Sequence, residues 1–534
     1  MSAATADAGG AGASSSKNEG GGQRADAAAW LAVAAGTIGS LMALLDVSIV
    51  NSSLPTIQGE IGASGSEGTW ISTAYLVAEI VMIALAGWFT RLLGLRRFLL
   101  IVTVLFIGFS IVCGTSTSLA QMVIGRVGQG FTGGAMIPTA MTIVSTRLPP
   151  AQRPVGVALF GITAVLGPVI GPLLGGYLTE NVSWHYAFFI NLPVSLLLLA
   201  LLILGLEPQE GDPSLLAGAD WFGIAGLMLG LGCLTVVLEE GQRERWWESS
   251  MIVDLSWLSA IGFVLLAIGQ FTARTPVVYL KILRGRSFGM VFLISLVVGA
   301  ALYGLLYLIP QYLSLIAGYN ALQSGYVVAL SGIPPLAMMA LFPFLVRTVD
   351  IRILISLGLL FFAVSCFMNA GLTPDTVGQD FVWPQIMRGF GQFFSMLFLN
   401  QAATNSVPVE YAADASGLFN GARNLGGSLG LAMVSTLQDR RDSLHMDRLG
   451  SAITANSLRG QEYLQGLASN FGNGDTVTGM NKAFAAFGQE LTRQASVMTF
   501  ADLFWLFGIV LICAIPLVLF LTPIDKDAPA GAVG

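Results

Sequence analysis

Apolar residues in this chain do not alternate with polar ones; from about position 28 to position 522 they run in long stretches parted by short connectors. A helix needs roughly 20 apolar residues to cross a hydrocarbon core of about 30 Å. That criterion predicts fourteen helical spans, near 28–54, 69–90, 98–115, 119–146, 153–178, 187–206, 221–238, 252–273, 288–316, 322–346, 353–371, 381–406, 413–437 and 499–522. A membrane β-barrel would instead show alternation over segments of roughly ten residues.

Composition agrees with the pattern. Apolar residues make up 54% of the 534 and charged residues 10%, against about 25% charged in soluble domains, and the mean hydropathy is +0.74. Orientation follows from where Lys and Arg fall, because cytoplasmic connectors retain them. With the N-terminus inside, fourteen basic residues, among them Lys17, Arg24, Arg91, Arg147, Arg274, Arg347 and Lys526, fall on the cytoplasmic side. Only Arg243 and Arg245 fall in the short outer connectors. Both termini are therefore expected in the cytoplasm. Residues 1–27, rich in Ala, Gly and Ser, read as a disordered cytoplasmic tail, and 523–534 as a second cytoplasmic tail. The run after Ala28 is too long for the h-region of a cleaved signal peptide.

Several chemistries are unsupported. Cys113, Cys233, Cys366 and Cys513 lie in or beside spans without a Cys-x-x-Cys pair, and His185 and His445 both fall in connectors. Neither a disulfide framework, a metal centre nor a cofactor is indicated.

Charges inside spans carry the functional reading. Asp46 sits in the first span, in Leu45-Asp46-Val47-Ser48-Ile49-Val50-Asn51-Ser52-Ser53-Leu54-Pro55, and an acid at that depth costs roughly 2.5 to 3.5 kcal/mol on insertion scales. Glu79 in span 2 and Arg126 in span 4 lie at a similar depth, roughly 12 to 15 Å below the outer surface at 1.5 Å per residue. The shared depth predicts that the three meet. Burial disfavours an ionised carboxylate and a guanidinium favours it, so such a cluster can take up a proton on one side and release it on the other; the bland alternative is a static ion pair that fixes helix packing. Arg388 and Arg423 are the corresponding intramembrane charges of the C-terminal half.

A weak internal repeat accompanies them. Span 4 holds Arg126-Val127-Gly128-Gln129 and span 12 holds Arg388-Gly389-Phe390-Gly391-Gln392, each followed by a Gly-rich span. Repeated halves with a site between them are a common plan for secondary transporters. The chain then divides into a six-helix unit at 28–206, two inserted spans within 207–286, and a second six-helix unit at 287–522 containing an extramembrane connector, 438–498. In that connector 452–467 and 480–491 have amphipathic spacing. Asp502 reads as a first-turn acid of the last span. Span 5 carries Gly167, Pro168, Gly171, Pro172, Gly175 and Gly176, whose four-residue spacing predicts close contact with a neighbouring helix. A tight basic turn between spans 2 and 3 contains Gly87, Arg91, Gly94, Arg96 and Arg97.

These stretches together resemble the major facilitator superfamily, and within it the fourteen-span drug:proton antiporters of the EmrB/QacA type, over essentially the whole chain after the tail. Leu45 to Pro55 is similar to the first-span motif of that group, Gly87 to Arg97 to the superfamily loop motif, Arg126 to Pro138 to the fourth-span arginine motif, and Gly161 to Gly176 to the antiporter motif. Trp184 to Pro193 is similar to the segment opening span 6. Arg91 departs from the wider superfamily, which usually has an acid there, but fits the EmrB-like branch. The resemblance implies an all-α integral membrane fold of two six-helix bundles plus two inserted spans. It also implies export of amphipathic compounds from the bacterial inner membrane, driven by inward proton flow. A periplasmic adaptor (membrane fusion protein) and an outer-membrane channel are the implied partners; nothing points to nucleic acid. An importer of the same fold, or a transporter-like sensor or scaffold, is the alternative.

Overall fold

The computed structural model describes residues 25–273, 275–408, 411–452, 458–471 and 476–522. The expected tails at 1–24 and 523–534 lie outside the described residues, as do Arg274 and Lys526.

The described chain is helical throughout. The first half comprises α1 (Ala27–Glu60), α2 (Trp70–Leu93), α3 (Leu95–Gly114), α4 (Leu119–Arg147), α5 (Arg153–Asn181) and α6 (Asn191–Gly205). Two inserted helices follow, α7 (Trp221–Glu240) and α8 (Ser250–Thr272). The second half comprises α9 (Arg286–Leu315), α10 (Leu322–Thr348), α11 (Ile351–Asn369), α12 (Val382–Gln392 continued by Phe393–Leu397 and Phe398–Asn405), α13 (Ala412–Ala452), α14 (Leu458–Phe471) and α15 (Thr476–Ala514).

Local chemistry starts several of these helices. Asp26 accepts the Ala29 N–H at 2.8 Å to open α1, Ser118 caps α4, and Asp220 accepts from Gly223 at 2.7 Å to open α7, each satisfying a first-turn donor that has no helical partner. Ten of the described helices are long and apolar enough to cross a membrane. The spans that fall short of that test, α4, α5, α12 and α13, are the ones richest in Gly and polar residues, and they bring the count to fourteen with α1–α13 and α15. Large apolar side chains such as Trp257, Phe271 and Phe344 point outward, as a hydrocarbon solvent permits.

The two halves repeat one packing scheme. In the first, Gly167 and Gly171 of α5 abut Leu44 and Ser48 of α1; in the second, Gly426 and Gly430 of α13 abut Leu296 and Ala300 of α9. With no Cβ between them the backbones approach closely, which is the attraction available to helices in lipid. The halves meet through two equivalent seams, α2 on α13 and α5 on α10. The insert closes over one of these seams: α7 packs on both α2 and α13, while α8 packs chiefly on α7. At the outer end of α7, Glu240 accepts from Thr73 of α2 at 2.7 Å and Glu239 from Ser428 of α13 at 2.6 Å.

Three sequence expectations need correction. The stretch 438–498 is not a connector between helices but mostly an extension of them. α13 continues to Ala452 and α15 begins at Thr476, with α14 packed against α15; at 41 residues, α13 is about 62 Å long and overshoots the hydrocarbon core. Residues 453–457 and 472–475 lie outside the described residues. Asp502 is correspondingly well inside α15 rather than in a first turn, and it accepts from Arg441 at 3.1 Å and His445 at 3.0 Å. The third correction concerns Glu79 and belongs with the site.

Candidate functional site

The site is built where four glycine-relieved crossings bring α1, α2, α3, α4 and α6 together. A Cβ at Gly134 of α4 would lie 2.7 Å from the carbonyl oxygen of Glu79, and one at Gly133 2.8 Å from the Tyr75 hydroxyl. α2 and α4 are therefore nearly in backbone contact, which sets Tyr75 and Glu79 beside the arginine face of α4. On the far side of α1, Gly167 and Gly171 let α5 press it inward.

At the centre Arg126 Nη1 donates to Asp46 Oδ2 at 2.5 Å, with both side chains essentially sealed from solvent. The remaining valences are filled from four helices. Asp46 Oδ1 accepts from Asn191 Nδ2 at 2.7 Å and from Gln129 Nε2 at 3.1 Å. Arg126 Nε donates to the Ile71 carbonyl at 3.0 Å, and its guanidinium lies 4.2 Å above the Tyr75 ring. Gln129 Nε2 also donates to Ser110 Oγ at 2.9 Å, while its Oε1 accepts from Arg126 Nη1 at 3.1 Å. A buried ion pair survives desolvation only when its other donors and acceptors are satisfied in this way.

Glu79 stands apart. It is buried but makes no hydrogen bond or ion pair among the described residues. Glu79 therefore does not join the Asp46–Arg126 ion pair, although its backbone abuts Gly134 on the same helix as Arg126. Arg423 of α13 donates from Nη2 to Asn424 Oδ1 at 3.3 Å, and Tyr303 of α9 donates to the same oxygen at 3.4 Å.

The other candidate residues fall into separate places. Gly167, Gly171 and Gly175 all face α1, whereas a Cβ at Gly176 would meet nothing within 4 Å. Pro172 lies within the single run of α5; the side chain of Pro168 is outside the described residues. In the basic turn Arg91 Nη1 donates to Asp414 Oδ2 at 2.5 Å, and Gly87 leaves room for that carboxylate at 3.0 Å. Gly94 has φ of +78°, a conformation that glycine adopts without penalty, and Arg96 donates to the Ile203 carbonyl at 3.2 Å while Arg97 is exposed. Arg388 of α12 is buried in the second half, bonded to Gln385 Oε1 at 3.2 Å.

No sequence motif by itself points to the shell of Gln129, Asn191, Ser110 and Tyr75 around the pair. Gln129 carries a signal, lying one helical turn from Arg126; the others come from helices whose rotation about their axes no local pattern reports.

A family model described as Major Facilitator Superfamily matches residues 36–431. The chain is 30% identical over 493 residues to the colistin resistance protein EmrB of Acinetobacter baumannii, covering 92% of this chain and 96% of that one. It is also 30% identical over 504 residues to the multidrug export protein EmrB of Escherichia coli K12, covering 93% and 95%. Among solved structures, the proton:xylose symporter XylE superposes with a TM-score of 0.57 at 15% identity, covering 93% of this chain and 97% of that one, a likeness of fold.

Proposed function

This chain belongs to the major facilitator superfamily and is a transporter, not an enzyme; on that premise we propose that it exports several amphipathic compounds in exchange for protons. The observation that carries the coupling is the sealed pair of Asp46 and Arg126. Asp46 is held by three donors on two other helices, so protonating it loosens α1 from α4 and α6 together. A carboxylate whose charge state decides whether three helices hold together is suited to link proton occupancy to rearrangement of the bundle. Glu79, buried on α2, the helix that packs on α13 of the other half, is the second proton acceptor in this reading and reports the same change to that half.

Energy suffices: one charge crossing about 100 mV supplies about 2.3 kcal/mol, roughly a fiftyfold concentration ratio. The membrane is the bacterial inner membrane, with both termini cytoplasmic and the basic turn at Arg91 inside. On the opposite face α13, α14 and α15 project, and Tyr463, Phe471 and Phe484 are exposed there. That projection is the proposed docking surface for a periplasmic adaptor leading to an outer-membrane channel.

The test is accumulation of a fluorescent amphipathic cation in everted vesicles under an imposed proton gradient. Gradient-dependent uptake that stops when the gradient is collapsed is expected; uptake indifferent to the gradient overturns proton coupling.

A further inference from the structure

The two halves repeat each other except at one charge. Matching the glycine contacts of α5 on α1 with those of α13 on α9 carries Asp46 onto Val298 or Ile294, depending on which glycines are superposed, and both are buried and apolar. The arginine of the repeat is kept and its acid is not. Arg388 is 1% exposed; among the described residues it donates to Gln385, its Nε has no acceptor, and no carboxylate lies within ion-pair distance of it.

The neighbouring polar groups are unpartnered in the same sense. Gly391 packs on Phe362 and Gly358 on Ser395, an antiparallel register that sets Ser365 of α11 opposite Arg388, and Asn369 opposite Pro384, next to Gln385. Asn369 Nδ2 and Gln385 Nε2 are buried donors without acceptors, and Ser365 Oγ has no partner. This seam descends from a cavity of about 340 Å³ that Asn369, Phe381 and Pro384 help to line. Asp375 and Asp380 line that cavity as well, Asp380 accepting the Val377 N–H at 2.9 Å, and the unpartnered donors of the seam begin at Asn369 in its wall, with Gln385 and Arg388 outside the lining.

A buried guanidinium without a counter-charge is costly, and buried amide donors without acceptors add to that cost. All three are relieved by one occupant that accepts hydrogen bonds and carries a single negative charge. We propose that the seam between α11 and α12 binds a carboxylate-sized monoanion, with Arg388 as the charged donor and Gln385 and Asn369 beside it. The planar guanidinium suits a carboxylate in particular. The anion is either free or the head group of an amphipathic acid.

The experiment measures thermal unfolding of the purified full chain in neutral-lipid nanodiscs, buffered with a bulky sulfonate, while acetate, decanoate or methyl decanoate is titrated. Wild type should be stabilised saturably by decanoate and not by its methyl ester. Arg388→Gln should weaken the apparent affinity for the anion by about tenfold or more, the loss expected of a charged hydrogen bond. Without added anion Arg388→Gln should be at least as stable as wild type, because it removes an unpaired buried charge. Stabilisation by acetate as well as decanoate identifies a free small anion as sufficient; stabilisation by decanoate alone identifies the head group of an apolar acid. Equal stabilisation by the methyl ester, no response of wild type to either anion, or an Arg388→Gln protein that binds decanoate as wild type does overturns the proposal.

Discussion

Arg91 of α2 and Asp414 of α13 meet at 2.5 Å across the seam between the two halves, the acid buried and the arginine partly reached by solvent. Arg91 thus ties the two halves together at the basic face, as Arg347 does through the Ala151 carbonyl at 2.6 Å. Removing either partner should weaken that seam by about 1 to 3 kcal/mol, less than for a fully buried pair because Arg91 is accessible. Arg91→Asp and Asp414→Arg should each lower export severalfold, and the exchanged double variant should recover most of it. Two additive losses in the vesicle assay would show that the pair is incidental.

Asp46→Asn keeps a side chain of the same shape among Asn191, Gln129 and Arg126 but can no longer change charge. The protein should insert and still equilibrate substrate downhill while losing gradient-driven export by at least about a hundredfold, or roughly 2.7 kcal/mol of coupling. Glu79→Gln should lose less. Full uphill export by the Asp46→Asn protein would reduce Asp46 to a packing role.

A methyl group at Gly171 would overlap the Ser48 Cβ of α1, whereas one at Gly176 meets open space. Gly171→Ala is expected to cost about 1 to 3 kcal/mol, the range for overpacking, and Gly176→Ala almost nothing. Thermal unfolding in detergent checks both, and equal melting temperatures would contradict the packing of α5 on α1.

Reporter fusions at Gly460 in α14 should read out on the periplasmic side and fusions after Lys526 on the cytoplasmic side. Deleting residues 448–482 should leave proton-coupled uptake in vesicles intact while abolishing resistance in cells and co-purification of an adaptor. Undiminished adaptor capture by the deleted protein would place the docking surface elsewhere.

Hydropathy and charge placement alone determined that the chain crosses the membrane fourteen times, and they marked Asp46, Glu79, Arg126, Arg388 and Arg423 as charges needing an explanation. These properties depend only on residues close in sequence, through the length of an apolar run and the cost of an ion within it. Partner choice was decided by tertiary structure. One residue of helix turns a side chain by about 100°, so equal depth gave Glu79 no hydrogen bond or ion pair with Asp46 or Arg126 among the described residues. The same applies to Asp502, whose place within α15 and pairing with Arg441 and His445 required α13 and α15 to run past the membrane side by side, and to Arg388, whose lack of an acid appears only once α9 is seen to offer Val298 or Ile294 in its place.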